Sequence, residues 1–152
     1  MNIKKSNIKF HVDDFKVVGI VSNSKEYKIA WILNTLLNIN LKKSDNILIK
    51  LVNNQSISVS CLNYKDKKKY IRLLTNRLNN KENVKSHFIS KLSKFDYLLQ
   101  FSVNFFEFES FNIINELKRD NRIQFANFVD VNKLKEKYML YIWKIFFIIK
   151  QK

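Results

Sequence analysis

Phe95-Asp96-Tyr97-Leu98-Leu99-Gln100-Phe101-Ser102-Val103 is the stretch on which the fold turns. Phe95, Tyr97, Leu99, Phe101 and Val103 alternate with Asp96, Leu98, Gln100 and Ser102. A period of two is the mark of a β-strand, with successive side chains on opposite faces. Upstream, Tyr70 to Thr75 forms a second strand candidate. Ile57, Val59 and Cys61, alternating with Ser56, Ser58 and Ser60, form a third, and Ile47, Ile49 and Leu51 a fourth. The links between them, Asn53-Asn54-Gln55 and Lys65-Asp66-Lys67-Lys68-Lys69, are polar and short. Short links require antiparallel hairpins, because a parallel crossover needs a dozen residues or more.

Further out, Tyr27 to Ile39 has helical spacing, with Tyr27, Ala30, Trp31, Leu33, Leu36 and Leu37 on a broad apolar face. Trp31 is expected to be buried against the sheet. Asn34, on or beside that face, is expected to tie the helix to a neighbouring backbone edge. Asn23 is placed to cap this helix with Glu26 reaching back, and Asn38 and Asn40 to end it. Before it, Phe15, Val17, Gly19 and Val21 read as a central strand, and its glycine marks a bulge or a close approach. Ile8, Phe10 and Val12 suggest an earlier strand, ending at a turn over Asp13-Asp14. Asn79 to Ser86 is a polar loop. Downstream, the pattern predicts a helix over Phe106–Arg119 stopped by a left-handed Asn121. A strand through Ile123, Phe125, Val129 and Val131 follows, and then a helical tail from Asn132 to Lys150. The expected fold is a single α+β domain with a largely antiparallel sheet, two main helices and a C-terminal apolar helix. Residues 1–137 would be the domain and 138–152 the tail.

The chain has 152 residues, 46% of them hydrophobic, which suits one globular domain. A single cysteine, Cys61, excludes an intramolecular disulfide and a Cys-based zinc site. No run of about 18 uncharged apolar residues is present, so no ordinary transmembrane helix is expected. The polar start points to a cytoplasmic protein. Formal net charge is +15, which by itself suggests nucleic acid. The basic residues are 24 Lys but only 4 Arg, alongside 20 Asn, 18 Ile, one Gly and no Pro. An AT-biased genome accounts for all of these together, and Arg is the better bidentate reader of phosphate and guanine. Nucleic-acid binding is therefore expected to be weak and salt-sensitive.

Phosphate loops, dinucleotide fingerprints and nucleophile elbows need several glycines and are absent. His11 and His87 have no metal-ligand spacing, and Cys61 reads as a small core residue. No catalytic residue, metal or cofactor is expected. Asp13 and Asp14 would point to opposite faces of a strand, which disfavours a shared-proton pair. Asp96 either lies on a solvated face or accepts hydrogen bonds that fix a nearby loop. The candidate binding residues are Asn34, Asn76, Arg77, Asp96 and Tyr97, with Arg77 retained against the codon bias.

Ile89-Ser90-Lys91-Leu92-Ser93-Lys94-Phe95-Asp96-Tyr97 resembles the signature of the IPExxxVDY family of uncharacterised Bacteroidetes-type proteins, matching at Ile89, Asp96 and Tyr97. Ser90 stands for the Pro, Lys91 for the Glu and Phe95 for the Val. Tyr27-Lys28-Ile29-Ala30-Trp31-Ile32-Leu33-Asn34 is similar to that family's early helix, and Leu73-Leu74-Thr75-Asn76-Arg77 to its strand ending in Asn-Arg. The resemblance spans about residues 8 to 135 and implies a small cytoplasmic protein without an established activity. Three functions stay open: a non-enzymatic protein-binding or scaffold domain, an RNA-associated accessory protein using its basic surface, and an enzyme with a site around Asn34, Arg77 and Asp96. A protein partner or self-association is expected through the apolar C-terminal tail.

Overall fold

The computed structural model describes residues 2–3, 15–51, 55–78, 86–106, 111–143 and 146–150. The strand marked by the alternation is β8 (Tyr97–Ser102), and it occupies the middle of a six-stranded sheet. Its neighbours are β7 (Lys69–Thr75) on one side and β2 (Phe15–Val21) on the other. Beyond β7 come β6 (Cys61–Asp66) and β3 (Lys42–Lys43); beyond β2 comes β9 (Phe125–Phe128). Every pairing in this sheet is antiparallel. A second sheet has the order β1 (Asn2–Ile3), β10 (Phe146–Lys150), β4 (Ile47–Leu51) and β5 (Ser56–Val59), and its β10–β4 pair is parallel. The α+β class with a mainly antiparallel sheet therefore holds.

The strand period separates two cores. Val18, Ile20, Ile71, Leu73, Leu99 and Phe101 face α1 (Glu26–Leu37) and α2 (Ile113–Lys118). Phe15, Val17, Leu74 and Leu98 face the other way, toward Ile47, Ile49, Ile57 and Val59 of the smaller sheet. All six residues of β8 are buried. The even-numbered side is thus a second core face, on which Gln100 and Ser102 are buried too.

Gly19 lies in β2 on that side, against Phe95. A Cβ there would overlap the Phe95 ring, so the close approach expected of this glycine is real. Gly19→Ala should cost about 1–3 kcal/mol of stability by urea titration; an unchanged midpoint would show that the ring has room to move.

Several local expectations need correction. The tail is not a helix. Short 3-10 turns at Val131–Lys133 and Lys137–Tyr141 lead into β10. A short apolar run cannot be told from a buried parallel strand by periodicity alone, and an Ile/Phe-rich segment favours the strand. No domain boundary falls at residue 137, because Met139, Leu140 and Ile142 belong to the core. Of the apolar stretch expected to mediate self-association, Met139, Leu140 and Ile142 are buried inside the molecule.

Trp31 is 58% exposed rather than buried. The inward stripe of α1 is Ile29, Ile32 and Leu33, and Trp31 lies about 200° around the helix from Ile29. The apolar face read from the sequence had merged two sides of the helix. Asn23 does not cap α1: the N-cap is Lys25, without a side-chain bond, and Glu26 is taken by Thr75. Asn38 does close α1 in the left-handed conformation, with φ 52°. Asn121 does not adopt it. Among the described residues only Asn38 and Lys67 have positive φ, and the turn after α2 is held instead by Asp120 and Arg122.

α2 is shorter than the expected helix, starting at Ile113 behind an Asn112 cap. The strand expected over Ile57–Cys61 breaks at Ser60, and β6 continues to Asp66, so the hairpin turn shrinks to Lys67-Lys68. The Ile8–Val12 strand, His11, Asp13-Asp14, Asn53-Asn54 and most of the 79–86 loop lie outside the described residues.

Candidate functional site

Four of the five candidate residues meet at one end of the larger sheet. β7 ends in Thr75 and runs on through Asn76 and Arg77, while β8 begins at Tyr97 just after Asp96. The two segments are stitched by the Asn76 and Arg77 amides donating to the Asp96 carbonyl, at 2.9 and 3.3 Å. β2 arrives beside them and turns at Ser22 into α1.

Asn76 is fully buried. Its Nδ2 donates to the carbonyls of Leu92 (2.9 Å) and Phe95 (3.0 Å), and its Oδ1 accepts from the Ile89 amide at 2.8 Å. Its own carbonyl accepts from the Phe88 amide. One side chain thereby fixes the path of the segment from Phe88 to Phe95, which overlaps the stretch 89–97 as far as Phe95. That part of the stretch wraps around a buried amide.

Asp96 is buried, which removes the solvated-face alternative. Its Oδ2 accepts from the Ser22 amide at 2.9 Å, and its Oδ1 forms an ion pair with Arg77, whose side chain is 65% exposed. The Tyr97 hydroxyl donates to the Ser24 carbonyl at 2.6 Å, and the Thr75 hydroxyl donates to Glu26 at 2.7 Å. Burial pushes the Tyr97 phenol up to about 12, with Glu26 and Asp96 adding to the shift and Arg77 opposing it. The phenol is therefore a fixed donor at neutral pH rather than a base. Apart from the exposed remainder of the Arg77 guanidinium, the groups of this cluster contact one another and latch β2, β7, β8 and the start of α1 together.

Asn34 is not part of this cluster. It sits near the other end of α1, where its Oδ1 accepts from the Leu41 amide at 2.8 Å, the tie to a backbone edge that its position suggested. Among the described residues no three His, Cys, Asp or Glu side chains gather as metal ligands. Cys61 is buried, with its Sγ 2.9 Å from the Ser44 hydroxyl.

The surfaces that remain open were not singled out from the sequence. One is the outer face of α1, where Tyr27 (65% exposed) and Trp31 stand one turn apart. The Arg122 guanidinium lies 5.2 Å from the Trp31 ring centroid. Arg122 is clamped by two hydrogen bonds to Asp120, at 2.9 and 2.7 Å. Those bonds hold the Asp120 carboxyl at about 2. Thr35, Glu116 and Arg119 complete a shallow depression beside Trp31. An i, i+4 pair of aromatics on the polar side of a helix was the available signal, hidden by counting every aromatic as core. A second open surface is an aromatic groove between α1 and the β6–β7 hairpin. Compared with protein-family models, curated proteins and solved structures, the chain gives no match.

Proposed function

We propose that this protein is a non-enzymatic binding domain of the IPExxxVDY type that docks an acidic protein partner on the outer face of α1. The observation that carries the reading is Trp31: a large aromatic held 58% exposed on a well-packed helix, one turn after an exposed Tyr27 and beside Arg122. Trp, Tyr and Arg are the residues that dominate binding energy at protein interfaces. The net charge of +15 favours an acidic partner and speeds its approach. The polar cluster supports the non-enzymatic part, since the Asn76 side chain, Asp96 Oδ2 and the Tyr97 hydroxyl bond to backbone groups that hold the fold.

Trp31→Ala separates docking from packing. An exposed Trp can be removed with a stability change within about 0.5 kcal/mol, whereas a core Trp would cost about 3–5 kcal/mol. The partner is sought by capture on the full chain from nuclease-treated native cytoplasm, with a photo-crosslinker at Thr35. A discrete crosslinked acidic protein is expected, with affinity falling at least about 30-fold in Trp31→Ala. Equal capture by the variant, or crosslinks only to nucleic acid, would defeat the reading.

A further inference from the structure

We infer that the β6–β7 hairpin and the aromatic groove beside it form a binding site for a single-stranded polynucleotide. The groove is lined by Tyr64, Phe105, Phe106 and Phe111, with Asp66 and Lys69 at its mouth, and encloses about 340 Å³. That lies within the size range of sites that take small planar ligands. Its rings are ordered against one another. Phe105 meets Phe106 edge-on at 5.1 Å, Phe106 stacks on Phe111 at 4.8 Å, and Tyr64 meets Phe105 edge-on at 6.4 Å. All four rings are half-buried, so each keeps part of its surface open. None of Tyr27, Trp31, Arg119 or Arg122 lines this groove, so the inference is independent of the docking face on α1.

The groove continues into a second depression lined by Asp66, Lys67, Lys68, Lys69 and Asn104. The two share Asp66 and Lys69. Lys67 and Lys68 form the two-residue turn of the hairpin and are exposed, with Lys67 in the left-handed conformation. This puts cations at the rim and partly exposed aromatic rings inside. Single-stranded nucleic acids are held by that combination, with phosphates on basic side chains and bases stacked on aromatics. A duplex offers its phosphates but not its base faces. Asp66 fits the same occupant. Its carboxylate repels a phosphate from the groove mouth and can accept a hydrogen bond from a base N–H, such as the N3–H of uracil or thymine, so the base enters and the backbone stays on the lysines. Codon bias explains how many lysines the chain carries. It does not explain a pair of them at a turn that opens onto four half-buried rings.

The test measures fluorescence anisotropy of labelled oligouridine, the matching oligothymidine and a duplex of equal length against the full chain over a salt series. Both single strands are expected to bind more tightly than the duplex; binding of oligouridine alone would restrict the site to RNA. Lys67→Glu with Lys68→Glu should flatten the logarithmic salt dependence by about 1.4, two contacts at about 0.7 each. Lys91→Glu with Lys94→Glu makes the same change in net charge at the other end of β8 and should leave most of the affinity. Tyr64→Leu should lose about five- to hundred-fold. Should that variant misfold, a 4-thiouridine oligomer crosslinked to the unaltered chain replaces it, with adducts expected at Tyr64, Asn104, Phe105 or Phe106. Equal loss from the two lysine pairs, equal binding of duplex, adducts elsewhere, or no binding at all would overturn the inference.

Discussion

Arg72→Ala should lower the unfolding free energy by about 3–5 kcal/mol, a large share of what such a domain has. Arg72 is fully buried in the middle of β7. Its Nε donates to Gln100 Oε1 at 2.7 Å, and its Nη1 and Nη2 donate to the carbonyls of Ile142 and Leu140, each at 2.8 Å. The guanidinium also lies 4.0 Å from the centroid of the Trp143 ring. No carboxylate pairs with it among the described residues. Burial accordingly lowers its pKa to about 10, against smaller raising effects from Cys61 and Tyr70, so it stays charged at neutral pH. Truncation would open a cavity and leave the Ile142 carbonyl without this donor; the Leu140 carbonyl would keep only Gln100. Arg72→Lys should be almost as damaging, because one ammonium cannot serve three acceptors in fork geometry. Urea titration gives the magnitude. Limited proteolysis should show early cleavage after Leu140 in both variants. A stable Arg72→Lys protein with a protected tail would mean that charge, rather than the fork, holds the segment.

Asn76→Ala should be of similar size, about 3–5 kcal/mol, by a different route. It strands two buried groups, the Ile89 amide and the Phe95 carbonyl, and takes one of two donors from the Leu92 carbonyl, which keeps the Phe95 amide. Each unsatisfied group costs about 1–3 kcal/mol, partly relieved where water can enter. Asn76→Asp is the sharper test. It keeps the acceptor for Ile89 but aims a carboxylate at two carbonyls, close to the Asp96 backbone. It should be at least as destabilising as Asn76→Ala, with early amide exchange between Phe88 and Phe95. An Asp variant as stable as wild type would show that the two donor bonds contribute little.

The contrast between Asn76 and Trp31 explains what the sequence could reveal. Strand alternation survives in β8 and β7 because one residue in two must face a core, and here both faces are buried. Asn76, Arg77, Asp96 and Tyr97 were legible as a group because polar residues at the ends of apolar strands need partners. Their purpose was not legible, since a satisfied network and a catalytic one use the same residue types. Trp31 was misread because Tyr27 and Trp31 put large aromatics on the outer side of α1 while Ile29, Ile32 and Leu33 fill the inner side, which blurs the stripe. The tail was misread because its conformation depends on partners far away in sequence: Arg72 for the carbonyls of residues 140 and 142, and β4 for the strand. Arg72 itself was overlooked, as a basic residue inside a strand reads as solvent-facing until its partner strands are known.

The position of β10 also orders events in time. It lies between β1 and β4, so a strand from the far end of the chain is an interior member of the smaller sheet. The β4–β5 hairpin can form early from local contacts, but one edge of β4 stays open until residues 146–148 arrive to pair with residues 49–51. Closing that edge spans nearly 100 residues of intervening chain, an entropic toll that local hairpins avoid. During synthesis the nascent chain must carry an unpaired apolar edge for most of its length, the kind of exposure that invites aggregation. A net charge of +15 opposes such association, because like-charged chains repel one another.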